Sequence, residues 1–245
     1  MNVSVCMAVY NGQEYLEEQL QSILKQLQPA DEVVIVNDAS VDRTISVINK
    51  FQDSRINLLE NKINLGVVKT FEKSLNSASG DIIFLSDQDD IWLAGKVQKI
   101  LAVFQAHPDV TLVLSDAQII DEKGKITADS FFEIRGEFVA NPISNWIKSK
   151  HHGCTLAFRR EMLEFFLPFP DDTPMHDIWI GIVNGIYGKA FYINEPLIQH
   201  RRHTSNTGRG IFNHAGISQM IKWRLILAKN VISLILKNKK LINYI

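Results

Sequence analysis

Ile82-Ile83-Phe84-Leu85-Ser86-Asp87-Gln88-Asp89-Asp90, followed at once by Ile91-Trp92, is an apolar run that empties into three carboxylates within four positions. The run has strand character, and its carboxylates repel one another unless a positive charge sits among them. A hard divalent cation prefers such oxygens. In a parallel α/β sheet, ligands bind beyond the carboxyl ends of the strands, where this cluster falls. The residues alone leave one alternative open, an acidic turn capping the next helix.

Upstream, the apolar run Val3–Val9 stops at the turn signal Tyr10-Asn11-Gly12. Leu16, Leu20, Ile23, Leu24 and Leu27 then recur at helical spacing until Pro29. Glu32–Asn37 reads as a second strand ending at Asp38, and Ser40 or Asp42 can N-cap a helix bearing Ile45, Ile48 and Phe51. Residues 56–59 predict a third strand, 61–66 a loop and 67–78 a helix that returns to the opening stretch. Alternating strands and helices whose polar ends share one edge imply a parallel, doubly wound sheet. Downstream the pattern predicts a helix over 96–105, a strand over 110–115 and a hairpin tip at 121–125. Residues 128–150 are irregular, with a short helix near 143–148. A strand over 154–158, helices over 159–166 and 177–187, and a strand through Phe191-Tyr192-Ile193 complete the globular part.

With 245 residues, 46% hydrophobic and 22% charged, the chain can bury a full core. Cys6 and Cys154 lie in apolar runs without CxxC spacing, which fits a reduced, cytoplasmic protein. The N-terminus lacks the basic region of a signal peptide, and no apolar run of about 18 residues predicts a membrane span. Charge is divided unevenly. Residues 1–195 hold 17 basic and 27 acidic side chains, whereas the remainder holds nine basic and no acidic ones.

Asp38 ends strand two as the acidic cluster ends strand four, so one ligand can touch both; a helix-capping role is the competing reading. There is no GxGxxG after strand one and no GxxxxGK[ST]. Ala8-Val9-Tyr10-Asn11-Gly12, Val36-Asn37-Asp38-Ala39-Ser40 with Asp42, Asn61 to Asn64-Leu65-Gly66, and Leu85-Ser86-Asp87-Gln88-Asp89-Asp90 form an ordered series. Together, over roughly residues 2–210, they resemble the family 2 glycosyltransferases of the GT-A fold, a Rossmann-like, mostly parallel sheet flanked by helices. The Ser-Asp-Gln-Asp-Asp-Ile-Trp wording is most similar to bacterial rhamnosyltransferases of surface polysaccharide synthesis.

The resemblance implies a nucleotide-sugar-binding half, 1–116, and an acceptor-binding half, 117–210. By it, Val9, Tyr10 and Asp38 hold the nucleobase, with Asn64 on the same nucleotide-sugar side. Asp87 meets the ribose, and Asp89 holds a Mg²⁺ or Mn²⁺ on the diphosphate. His200-Arg201-Arg202-His203 resembles the family's Tyr-Arg-x-His segment, which makes His203 a metal ligand, with His200 the alternative by register. Arg201 and Arg202 offer a clamp for the diphosphate. Met175-His176-Asp177 resembles the family's His-Asp pair at a helix start and makes Asp177 the general base of an inverting transfer, against an N-cap role. His151, His152 and Gly153 resemble the loop on the acceptor side, which His176 would also meet. For Trp92, core packing outweighs stacking on a sugar.

Residues 217–242 mix aliphatic residues with lysines and lack acids. Such a basic amphipathic helical tail, here 211–245, suits a membrane interface; packing on the catalytic domain or on a second subunit of a homodimer competes. Nucleic acid is excluded by the aliphatic content. The resulting expectation is a metal-dependent glycosyltransferase on the inner face of the plasma membrane. It would move a sugar, with dTDP-L-rhamnose the implied donor, to a glycan or lipid-linked glycan acceptor. A nucleotidyltransferase would want a basic glycine-rich loop after strand one. A non-catalytic nucleotide-sugar-binding subunit would not need Asp87, Asp89 and Asp177 together.

Overall fold

The computed structural model describes residues 1–136, 152–203 and 216–242. The first four apolar runs form β1 (Val3–Val9), β2 (Glu32–Asn37), β3 (Ile56–Glu60) and β4 (Ile82–Ser86), parallel and in the order β3-β2-β1-β4. Val5, Cys6 and Met7 of β1 and Val33 to Val36 of β2 are sealed on both faces. That is why these runs are continuously apolar rather than alternating. Helices α1 (Leu16–Leu24), α2 (Thr44–Asn49), α3 (Val67–Ser77) and α4 (Lys96–Ala106) cover the sheet with their periodic residues. Leu16, Leu20, Ile23, Phe71, Leu75, Ile100 and Phe104 are in the core.

The second half extends the same sheet. After the two-residue β5 (Ile91–Trp92) come β6 (Leu112–Ile120), β7 (Ile126–Ala128), β8 (Leu156–Arg159) and β9 (Ala190–Arg201). Strand β8 lies antiparallel between β4 and β6, β9 runs parallel to β6, and β5 closes the edge antiparallel to β9. Strands β1 to β4, β6 and β9 therefore all point one way, and their carboxyl ends share an edge. Helices α5 (Phe131–Arg135), α6 (Leu163–Phe166) and α7 (His176–Tyr187) flank this half.

Several boundaries differ from the sequence pattern for local reasons. Strand β6 runs past Ser115 because buried Asp116 is satisfied by the N–H groups of Ala117 and Phe131 and by Ser130. The segment expected as one helix over 159–166 opens as a 3-10 turn, Arg160–Met162, before α6. The strand expected from residue 154 is preceded by another 3-10 turn, Gly153–Thr155. Strand β9 is 12 residues long and absorbs His200 and Arg201, since its upper part pairs with β5 and with the end of β6. Trp92 is a core residue, packed on Phe84 and capped by the Lys96 ammonium. The short helix expected near 143–148 lies outside the described residues, as does His151.

The last helix, α8 (Ile217–Ile242), has two apolar stripes on opposite faces. Leu227 is fully buried, and Val231 and Leu234 pack beside it on the core; Asn230 donates to Asp172 at 2.7 Å. Ile221, Leu225, Ile232 and Leu236 form an exposed outer stripe. Lys222 and Lys229 flank it. Among the described residues no helix is long and apolar enough to cross a membrane.

Candidate active site

Parallel register places the sequence-derived loops side by side. Val9 pairs with Asn37 across β1 and β2, and Met7 pairs with Ser86 across β1 and β4. Tyr10 and Asp38 therefore leave the sheet at one level, and Asp87 leaves on the other side of β1, level with Ala8. Two residues there adopt left-handed backbone, Asn11 (φ 49°) and Ala39 (φ 59°). For a non-glycine residue this costs on the order of 1 kcal/mol or more and is held only by surrounding bonds. Those bonds are visible. The N–H of Asn11 donates to Ser40 Oγ, that of Gly12 to Thr44 Oγ1 and that of Gln13 to Asp42, while Asn11 Oδ1 accepts from Val41 N–H.

Asp38 is buried, and its carboxylate accepts from Asn61 Nδ2 (2.8 Å), Leu65 N–H (2.8 Å) and Gly66 N–H (2.9 Å). It therefore shapes the loop 61–66, to which Asn64 adds a bond to the Asp38 carbonyl at 3.4 Å. Gly66, at φ 81°, makes the turn into α3.

The acidic turn is organised by the end of β9. His203 Nε2 lies 2.7 Å from Asp89 Oδ2, and His200 Nδ1 lies 2.9 Å from Asp90 Oδ1. Arg201 sits between them, its N–H donating to Asp90 Oδ1 and its Nε to the Asp89 carbonyl, both at 2.9 Å. Its other guanidinium nitrogens reach Glu18 and the carbonyls of Asp121 and Glu122, over the Tyr15 ring. Arg201 is 3% exposed, so the clamp expected of it gives way to a bracing role; its donors are spent on protein acceptors. Arg202 is half-buried and its N–H bonds the Ile120 carbonyl.

Burial, then the charges of Asp90 and Asp89, push the Asp87 carboxyl well above its usual range. Burial works the same way on Asp90, yet the charge and hydrogen bond of His200 and the Arg201 N–H hold that carboxyl low. His200 is the reciprocal case, raised by Asp90 against its burial. Lys96 is fully buried, donates to the Cys154 carbonyl at 2.9 Å, and is pulled down to about 8 by burial. An excess of buried carboxylate remains on this turn, and Asp90 Oδ2 has no partner among the described residues. A carboxylate and an imidazole meeting at Asp89 and His203 suit a hard divalent ion such as Mg²⁺ or Mn²⁺. Donor trios around Cys154, one with Asp87 and Asp90 and one with His152 and His200, include a soft thiol that those ions do not favour.

Across the site, Asp177 begins α7 and is 8% exposed. Burial pushes its carboxyl up to about 6, against hydrogen bonds from the Ile178 and Gly153 N–H groups. The Gly153 bond ties it to the acidic turn, because the next residue, Cys154, has its thiol within 4.8 Å of the Asp87 and Asp90 carboxylate oxygens. His152 stacks on Phe131 and meets His200 edge-on. His176 is not on the open side. It is 2% exposed, stacked 4.1 Å from Phe71, and neither ring nitrogen has a partner among the described residues. Burial lowers it to about 3, and the acceptor contact expected of it gives way to core packing.

Most of the sequence-derived site residues thus share one edge: Val9, Tyr10, Asp38 and Asn64 on one side, Asp87, Asp89 and His203 in the middle, Gly153 and Asp177 beyond. Residues that pattern-reading passed over support them. Gln19 of α1 donates to Ser86 Oγ and to the Asp87 carbonyl; Gln88 bonds the Tyr10 backbone; Lys96 lies beneath. A glutamine on the buried face of an amphipathic helix was the one legible signal among these.

Residues 4–166 match the family model described as glycosyl transferase family 2. The chain is 28% identical over 225 residues to the dTDP-rhamnosyl transferase RfbG of Shigella flexneri, covering 82% of this chain and 72% of that one. It is 28% identical over 186 residues to the UDP-Glc:alpha-D-GlcNAc-diphosphoundecaprenol beta-1,3-glucosyltransferase WfgD of Escherichia coli, covering 74% and 69%. The fold is similar to that of S. aureus TarS 1-349 in complex with UDP-GlcNAc, with a TM-score of 0.73, 18% identity, and coverage of 93% of this chain and 66% of that one. The chain spans about two thirds of the length of the curated relatives it matches, 66–69% for the first three. With the motif series, the GT-A sheet and a family match over most of its length, the chain belongs to the family 2 glycosyltransferases.

Proposed function

We propose that this protein is an inverting glycosyltransferase that moves a sugar from a nucleotide-diphospho-sugar to a glycan hydroxyl. The observation that supports this reading is that the Asp177 carboxylate accepts from Gly153 N–H, next to Cys154, whose thiol lies within 4.8 Å of the Asp87 and Asp90 carboxylate oxygens. The loops after β1 and β2 form the nucleobase side, with Asp38 holding the loop 61–66 in shape, and Asp87 is directed to the ribose. Asp89 and His203 would hold a divalent ion, which supplies charge neutralisation to the diphosphate as it leaves. Arg201 fixes both partners by bracing the turn from behind. At Asp177 the carboxylate takes the proton of the acceptor hydroxyl as its oxygen attacks the anomeric carbon opposite the departing diphosphate.

The donor proposed is dTDP-L-rhamnose, supported by the Ser-Asp-Gln-Asp-Asp-Ile-Trp wording and by the S. flexneri relative. A lipid-linked glycan acceptor is supported by the E. coli relative and by the outer stripe of α8, whose aliphatics flanked by lysines suit an anionic membrane surface. The nucleotidyltransferase alternative loses ground. The amides of residues 10–13, which would have to cradle a triphosphate, are bonded to side chains of this chain.

The test is release of nucleoside diphosphate from dTDP-rhamnose and UDP-sugars, with and without Mn²⁺ and a GlcNAc-terminated lipid diphosphate. Acceptor-dependent release that Asp177→Asn lowers by about 10²–10⁴ is expected. Full activity in that variant, or release of pyrophosphate instead, overturns the reading.

A further inference from the structure

The main-chain amides of Tyr10, Asn11, Gly12 and Gln13 are all bonded, and the partners divide unequally. Three go to the β2–α2 connection and the first residue of α2, to Ser40, Asp42 and Thr44. The fourth crosses to the acidic turn. Tyr10 N–H donates to Gln88 Oε1 at 2.8 Å, and Gln88 Nε2 donates back to the Tyr10 carbonyl at 3.1 Å. A side-chain amide thus pairs with the backbone as a neighbouring strand would, joining the loop on the nucleobase side to the turn that bears Asp87 and Asp89. The fit leaves no slack. A Cβ built on Gly12 would stand 2.5 Å from Gln88 Oε1 and 2.8 Å from its Cδ, and its three nearest neighbours are all Gln88 atoms. Gly12 is not required for its own backbone conformation, which lies outside the left-handed region.

We infer that Gln88 is a positioning residue that sets the distance between the nucleobase loop and the metal-bearing turn, and that Gly12 is glycine to admit it. This rests on the donor site proposed above. A nucleoside diphosphate must span both segments at once, so a loop free to drift pays an ordering cost on binding. Both bonds are at the surface, so their loss should change binding far more than folding.

The experiment is calorimetric titration of the full chain with dTDP, UDP and GDP, each with Mn²⁺, alongside melting curves and steady-state kinetics. Gln88→Met and Gln88→Ala, which remove both bonds, should weaken the nucleotide that wild type binds by about tenfold. They should raise the donor KM in step, leaving kcat and Tm near wild type. Gly12→Ala alone should weaken binding comparably by expelling the Gln88 amide, yet should add nothing in the Gln88→Ala background, where the obstructing atoms are gone. Unchanged affinity in both Gln88 variants, a Gly12→Ala penalty that persists beside Gln88→Ala, or a loss confined to kcat overturns the inference. Wild type that binds none of the three nucleotides defeats the donor-site reading itself, and this inference with it.

Discussion

Asp177 holds its proton more tightly in the folded protein than in an unfolded chain, because its site withholds water from the charge. Two measurable effects follow. Activity should climb as pH rises through about 6, as the base loses its proton. The raised pKa also costs stability wherever the folded carboxylate is ionised. That cost is absent below the unfolded value near 3.8 and complete above about 6, where it is on the order of 3 kcal/mol. Asp177→Asn should therefore melt higher than wild type at pH 8, match it near pH 3.5, and transfer almost no sugar. An inactive variant with no gain in Tm at pH 8 would remove Asp177 from this strained role. His203 supplies the contrasting case: His203→Ala should weaken Mn²⁺-dependent nucleotide binding while leaving metal-free folding nearly intact, read by melting with and without the ion.

At the scale of elements, legibility depended on sequence distance. Strands β1 to β4 and the loops after them could be read because apolar period and turn chemistry are local. The end of β9 could be read only as a motif. Nothing near His200 or Arg201 says that they will meet Asp90 and Asp89, 110 to 112 residues away. Lys96 opens the helix expected over 96–105, and nothing near it in sequence says that it is buried, with the Cys154 carbonyl and the Trp92 ring receiving its ammonium. Helix α8 is instructive in another way: its apolar breadth resolves into two stripes, one packed and one exposed. Replacing Ile221, Leu225, Ile232 and Leu236 by serine should abolish flotation with anionic liposomes and leave Tm unchanged. Leu227→Asp should instead detach the helix from the core and open it to protease.

For the whole molecule, two neighbouring residues pull the pH–stability curve in opposite senses. His176 is buried neutral, so its contribution is present above its unfolded value near 6.5 and is lost as pH falls toward about 3, roughly 3–5 kcal/mol in all. Asp177 gains stability over much of the same interval. Wild type should show a shallow acid slope between about pH 6 and 4. Asp177→Asn should steepen it, and His176→Leu, which keeps the packing against Phe71, should flatten or reverse it. Parallel curves for all three proteins would show that neither residue is strained.

Strand β8 enters the sheet between β4 and β6 although it is made some 70 residues after β4. In the order of synthesis, the acidic turn leaves the ribosome more than 100 residues ahead of its histidine and arginine partners. Until β9 docks, Asp87, Asp89 and Asp90 repel one another on an open sheet edge. Completion of the acidic turn therefore depends on contacts of high sequence separation, which can form only once β9 is available to dock.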